Sequence, residues 1–184
     1  MELKRLFDCI DYQLSKFPKA DMLAAKVNGR WQSYSTAEVK ETVNALSAGF
    51  LKKGYSGNDM TIDGADKIAI ISNNCPEWIF TDIAVQQTGA ILVPIYPTTN
   101  PIELEFILKD SAAKMIFVRD KELYEKVLTV SDRLPNLQNI YCFHEVEGVK
   151  NWKSLLANEP ELLQKVSDIK ATISPKHVAT IIYT

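Results

Sequence analysis

The sequence has little histidine and no paired cysteine. His144 and His177 are its two histidines, and neither has a ligand-type neighbour at helical or loop spacing, so no metal site is expected. Cys9, Cys75 and Cys142 are scattered, odd in number and form no C-x-x-C pair, which excludes a disulfide framework or zinc site and points to a reducing compartment. No apolar run approaches the ~18 residues needed to cross a bilayer. The opening Met1-Glu2-Leu3-Lys4-Arg5 leads into mixed charge without the apolar core of a signal peptide. The expectation is a cytoplasmic chain with at most peripheral contact with a membrane. Lys and Arg number 21 against 23 Asp and Glu, for a net charge of -2, so the basic field of a nucleic-acid binder is missing. Glycine occurs only at 29, 49, 54, 57, 64, 89 and 148, and no G-x-G-x-x-G, P-loop or G-x-S-x-G elbow can be built from those positions.

What is present is regular. Apolar content of 46% and a length of 184 residues suit a single domain with one substantial core. Leu3, Leu6, Phe7, Ile10, Leu14 and Phe17 fall at helical spacing and end before Pro18. Leu23–Val27 and Trp31–Tyr34 flank Asn28-Gly29, which suits a type I′ hairpin turn. Ser35 and Glu38 form a capping box that opens a helix running to Gly54. Gly54 to Asp66 reads as a surface loop. Short apolar strands then alternate with amphipathic helices. The strands are Lys67–Ile71, Ala90–Tyr96, Lys114–Val118, Asn139–Phe143 and Val178–Tyr183. The helices open at an Asn74/Glu77 box with Pro76, at Asn100-Pro101, at Asp120, and at Trp152, the last interrupted at Pro160. This alternation means βαβ units: an α/β, doubly wound, mostly parallel sheet with helices on both faces and an N-terminal β-hairpin.

Ligands of such sheets bind outside the carboxyl ends of the strands, where the strand order reverses. The rule selects Ser72-Asn73-Asn74, Tyr96-Pro97-Thr98-Thr99, Arg119-Asp120, His144-Glu145 and whatever follows Tyr183. These loops hold no paired carboxylates, metal cluster or Ser/His/Asp set, so no catalytic residue is assigned. They also lack the phosphate-accepting Asp of a receiver domain. Trp78 and Glu77 read as a core anchor and a helix cap, Tyr96 and Pro97 as the shape of a strand exit, and His144 as a strand-end residue.

Four stretches carry a resemblance. Ile68-Ala69-Ile70-Ile71-Ser72-Asn73-Asn74-Cys75-Pro76-Glu77-Trp78 resembles the "vaIiSxNrpEW" segment of adenylate-forming (AMP-binding) enzymes, in their long-chain fatty acid–CoA ligase branch. Gly89 to Thr98, followed by Glu105 to Lys114, is similar to that branch's "GAvxVPiYpT…yIlxdSeaK". Val178 to Thr184 resembles the strand entering the "YTSGTTGxPKG" loop, and Asn28 to Ser35 with the helix after it resembles the opening hairpin and helix. The longer Gly54–Asp66 approach departs from the family's shorter "GixxGDrV" turn.

The resemblance implies a two-step reaction. A fatty acid attacks the α-phosphate of ATP to give acyl-AMP and pyrophosphate, and CoA then displaces AMP. It implies ATP, Mg²⁺ and CoA as the requirements of the whole enzyme, with a fatty acid as substrate. Thr184 is then the one nucleotide-site residue present, as the second position of the loop motif. Residues 1–184 are expected to be the N-terminal α/β subdomain, with the downstream catalytic subdomains and C-terminal lid absent, and to be inactive and ligand-free alone. Two other readings stay open: another adenylate former (medium-chain, aryl or aminoacyl activating), and a stand-alone flavodoxin-like binding module.

Overall fold

The computed structural model describes residues 3–27 and 29–184. Helix α1 (Asp8–Lys16) leads into the hairpin β1 (Leu23–Val27) and β2 (Arg30–Tyr34), paired antiparallel from Leu23–Tyr34 to Val27–Arg30. Asn28, the first position of the expected type I′ turn, lies outside the described residues. Gly29 has φ 78°, the left-handed value that such a turn needs.

The capping box forms as expected. The Glu38 N–H donates to Ser35 Oγ at 3.2 Å and the Ser35 N–H to Glu38 Oε2 at 2.7 Å, starting α2 (Thr36–Lys52). The helix ends in a Schellman motif. Gly54 sits at φ 83°, its N–H donates to Leu51 O, and the Tyr55 N–H reaches Phe50 O at 2.9 Å, with Tyr55 and Phe50 both buried. The loop that follows is not purely a surface loop. Asp66 is 2% exposed, accepts the Ser56 N–H at 2.9 Å and pairs with Lys114 at 2.5 Å.

From there the expected alternation appears: β3 (Lys67–Ile71), α3 (Pro76–Gln87), β4 (Ile91–Ile95), α4 (Pro101–Asp110), β5 (Met115–Val118), α5 (Lys121–Ser131) and β6 (Asn139–Cys142). The four strands are all parallel, in the order β4-β3-β5-β6. Both faces are covered, as a parallel sheet requires. Ile68 and Ile70 of β3, with Leu92, Met115, Phe117 and Tyr141, pack against Val43, Leu46, Phe50, Phe80 and Val85 of α2 and α3. Their neighbours Ala69 and Ile71, with Val93, Ile116 and Cys142, pack against Leu104 and Leu108 of α4 and Leu123 and Val127 of α5. Every residue of β3 is buried.

Three expectations need correction. The Asn74/Glu77 box does not form. Pro76 takes the first helical position, which makes Cys75 the N-cap and leaves Glu77 one position short of closing a reciprocal box. Glu77 therefore supplies only a first-turn negative charge. The helix expected from Trp152 is interrupted at Pro160, where α6 (Pro160–Thr172) begins, but the part before it is only a short 3₁₀ turn (Trp152–Leu155). Between them the chain runs extended against α2, where the Ala157 N–H bonds Ala45 O at 3.0 Å. The Val178–Tyr183 strand reduces to one parallel bridge, Thr180 to Leu92. Here the Leu92 N–H donates to Ala179 O and the Ile181 N–H to Leu92 O. The next β4 donor on this side would be residue 94, and Pro94 has no N–H, so the ladder stops.

A close backbone approach fixes the α2 contact. A Cβ at Gly49 would lie 1.7 Å from Leu155 O. Gly49→Ala is therefore expected to destabilise the domain by roughly 1–3 kcal/mol through overpacking, seen as a lowered midpoint in urea. An unchanged midpoint would show that the 152–157 segment does not dock on α2.

Candidate functional site at the carboxyl ends of the strands

The direction of each crossover positions the site. The chain leaves β3 through Ser72-Asn73-Asn74 toward α3 on one face, and leaves the neighbouring β4 through Tyr96–Thr99 toward α4 on the other. Two adjacent strand exits diverging to opposite faces open a crevice between them. That crevice has a volume of about 640 Å³ and is lined by Ser72, Asn73, Asn74, Trp78, Pro94 to Pro97 and Ile182. On the other side of the β4 exit lies a second cleft of about 340 Å³, lined by Pro94 to Tyr96, Thr99, Glu103, Phe106, Ile107, Tyr183 and Thr184. Tyr96 stands between the two and is 72% exposed.

Most of the selected loops converge here. Ser72–Asn74, Tyr96, Pro97, Thr99, Tyr183 and Thr184 line the two clefts, and Thr184 lies in the smaller one beside the β4 exit. The remaining two loops serve one another. Arg119 O accepts the His144 N–H at 2.9 Å, Asp120 caps α5 by accepting the Leu123 N–H at 3.2 Å, and His144 is exposed. Trp78 is both core and cleft: it packs on the inner cluster and lines the larger crevice. At the opposite end of β4, His177 sits with its ring nitrogens 3.1 Å from Met60 O and 2.7 Å from Gly89 O, beside a separate cavity of about 420 Å³.

The polar groups of the two clefts are mostly neutral. Ser72, Asn73, Asn74, Thr99 and Thr184 offer hydroxyls and amides, Trp78, Tyr96, Phe106 and Tyr183 offer rings, and Glu103 is the charged lining residue. Among these residues there is no Lys or Arg. The set suits an uncharged or apolar ligand portion and does not by itself fit a triphosphate, which needs cations around its oxygens. No group of three or more His, Cys, Asp or Glu among the described residues could hold a metal ion.

Two partners here escaped the sequence reading. The Tyr183 hydroxyl donates to Asp110 Oδ2 at 2.6 Å, and the Phe106 ring meets the Tyr183 ring edge-on at 6.2 Å. Both come from α4, seventy-odd residues earlier, so no local pattern signals them.

The profile of the AMP-binding enzyme family matches residues 10–184. The chain belongs to this family. Among curated proteins it is 26% identical, over 93% of its own length, to the long-chain-fatty-acid–CoA ligase ACSBG1 of Rattus norvegicus, of which it covers 24%. It is 23% identical, over 86% of its length, to the long-chain-fatty-acid–CoA ligase FadD15 of Mycobacterium bovis, of which it covers 25%. Among solved structures, the long-chain-fatty-acid–CoA ligase FadD1 of Archaeoglobus fulgidus superposes with a TM-score of 0.70 at 25% identity, over 97% of this chain and 34% of that one. The chain thus spans about a quarter of the length of the curated relatives it matches.

In this AMP-binding enzyme, burial and then the Asp110 hydrogen bond and charge push the Tyr183 phenol up from 10.0 to about 12. The folded protein therefore holds this proton where the unfolded chain has lost it. The contribution is complete below pH 10 and is lost as pH rises toward 12. The ultraviolet difference titration between wild type and Tyr183→Phe should show one phenol ionising near pH 12, moving lower in Asp110→Asn. A Tyr183 signal at pH 10 in the wild type would contradict the contact.

Proposed function

We propose that these residues are the N-terminal α/β part of a long-chain fatty acid–CoA ligase, the whole of which forms a fatty acyl-CoA from the acid, ATP and CoA. One observation carries the reading. Two of the stretches that resemble that branch reach the crevice at the β3 and β4 exits, where Ser72 to Asn74 with Trp78, and Pro94 to Pro97, line it. A likeness confined to core positions would follow from fold alone; here it also covers the ligand edge. The likeness in sequence to long-chain-fatty-acid–CoA ligases over 93% of the chain supports the same choice.

In this proposal the 184 residues supply scaffold and one wall of the site. Ser72, Asn73 and Asn74 offer neutral hydrogen-bonding groups, Trp78 and Tyr96 offer apolar surface, and Thr184 contributes a hydroxyl to the nucleotide side. The cations and Mg²⁺ that phosphate chemistry requires belong to other parts of the enzyme. A cytoplasmic location, with contact at a membrane surface at most peripheral, completes the proposal. The cysteines agree with a reducing compartment, since Cys9, Cys75 and Cys142 are all free.

The test uses the complete protein with ATP, Mg²⁺, CoA and a panel of acids. Long-chain fatty acids should release pyrophosphate and give acyl-CoA faster than medium-chain, aryl or amino acids do. A preference for aryl or amino acids would replace this reading with another member of the family. The isolated 184-residue polypeptide should show no ATP–pyrophosphate exchange, because no cation lines the two clefts at the β3 and β4 exits; measurable exchange would refute the assignment of scaffold alone.

A further inference from the structure

The partition between the two clefts is a loop, and loops of this kind move unless something holds them. Tyr96–Thr99 is held from three directions. Its own turn closes through the Thr99 N–H to Tyr96 O at 3.0 Å. Its far end is fixed by Asn100, whose Oδ1 accepts the Ile102 and Glu103 N–H groups at 3.0 Å each and starts α4. The third hold comes from elsewhere in the chain. Lys126, on α5, points its ammonium at the loop and donates to Pro97 O at 2.5 Å and Thr99 O at 3.2 Å.

We propose that Lys126 is the positioning residue of this site: by holding the Pro97 and Thr99 carbonyls together, its ammonium fixes the β4–α4 loop and so the shape of both clefts. The inference rests on the function proposed above. A two-carbonyl grip suits an ammonium, which has three donors and no acceptor. Pro97 lines the larger cleft and Thr99 the smaller, so one side chain sets the backbone on both sides of Tyr96. With their carbonyls turned toward α5, residues 97 and 99 leave the cleft side of the loop to side chains. Lys126 itself lines neither cleft. It therefore acts through the loop and is not a catalytic residue.

Both carbonyls lie in a partly buried setting at the edge of the fold, where water can replace the ammonium. Loss of the grip should accordingly loosen the loop without unfolding the domain. Small misplacement of a binding wall costs affinity steeply. In the complete enzyme, Lys126→Met is expected to raise KM for the fatty acid by about tenfold or more, with a smaller change in kcat and a thermal midpoint close to wild type. Lys126→Arg, which keeps the charge and the donors, should restore most of the loss. Hydrogen exchange on the same complete protein should show faster exchange of the Thr99, Ile102 and Glu103 amides in Lys126→Met.

Unchanged KM together with unchanged exchange in Lys126→Met would overturn the proposal, as would a fall in thermal midpoint that Lys126→Arg shares. If the wild-type protein makes no acyl-CoA from any acid, the ligase reading fails. The exchange arm then still decides the clamp: faster exchange upholds it, and unchanged exchange removes it.

Discussion

The double-sided burial of β3 is the constraint on which the rest of the structure depends. All five of its residues are buried, with Ile68 and Ile70 facing one layer of helices and Ala69 and Ile71 the other. A fully buried isoleucine contributes about 1.5–3 kcal/mol, so neither face can be left open. The chain must therefore place helices on both sides, and it does so by sending α3 over one face and α4 and α5 over the other. The crevice at the β3 and β4 exits follows from that divergence. The site is a by-product of covering a central strand twice.

The same logic explains the weak outer edge beside β4. Pro94 can sit in a strand only where its missing N–H faces no ladder partner. It pairs with Ile70 of β3 on one side and limits residues 178–184 to a single bridge on the other. The final segment is thus tethered at Thr180 and reaches the strand exits through side-chain contacts, chiefly Tyr183 with Asp110 and Phe106. The chemistry of the two clefts agrees with this economy. They present amides, hydroxyls and rings, and the cations that a polyphosphate demands are not among their lining residues.

Much of the architecture was legible in the sequence because its signals are local. The Ser35/Glu38 box, Gly54 at the end of α2 and the apolar runs at 68–71 and 115–118 each act within a few residues. The parallel order followed from the alternation of those runs with helices. Three features were not legible, each for a physical reason. The Asn74/Glu77 box failed because Pro76 took the first helical position and shifted the frame by one. The break after Leu155 answers to the α2 backbone, a tertiary contact with no local trace beyond Pro160. The last strand failed because its partner, not its own composition, lacks the donor. In the site, Thr184 and the Ser72 and Tyr96 loops could be selected by the rule for strand exits, whereas Asp110, Phe106 and Lys126 could not. Those three come from helix faces whose spacing looks like ordinary surface.

A crystal structure of the complete protein with a non-hydrolysable acyl-adenylate analogue decides whether the crevice at the strand exits is the ligand site. The ligand is expected at the diverging exits of β3 and β4, against Tyr96 and beside Thr184. A ligand bound away from those exits, with the crevice filled by other protein side chains, would contradict it.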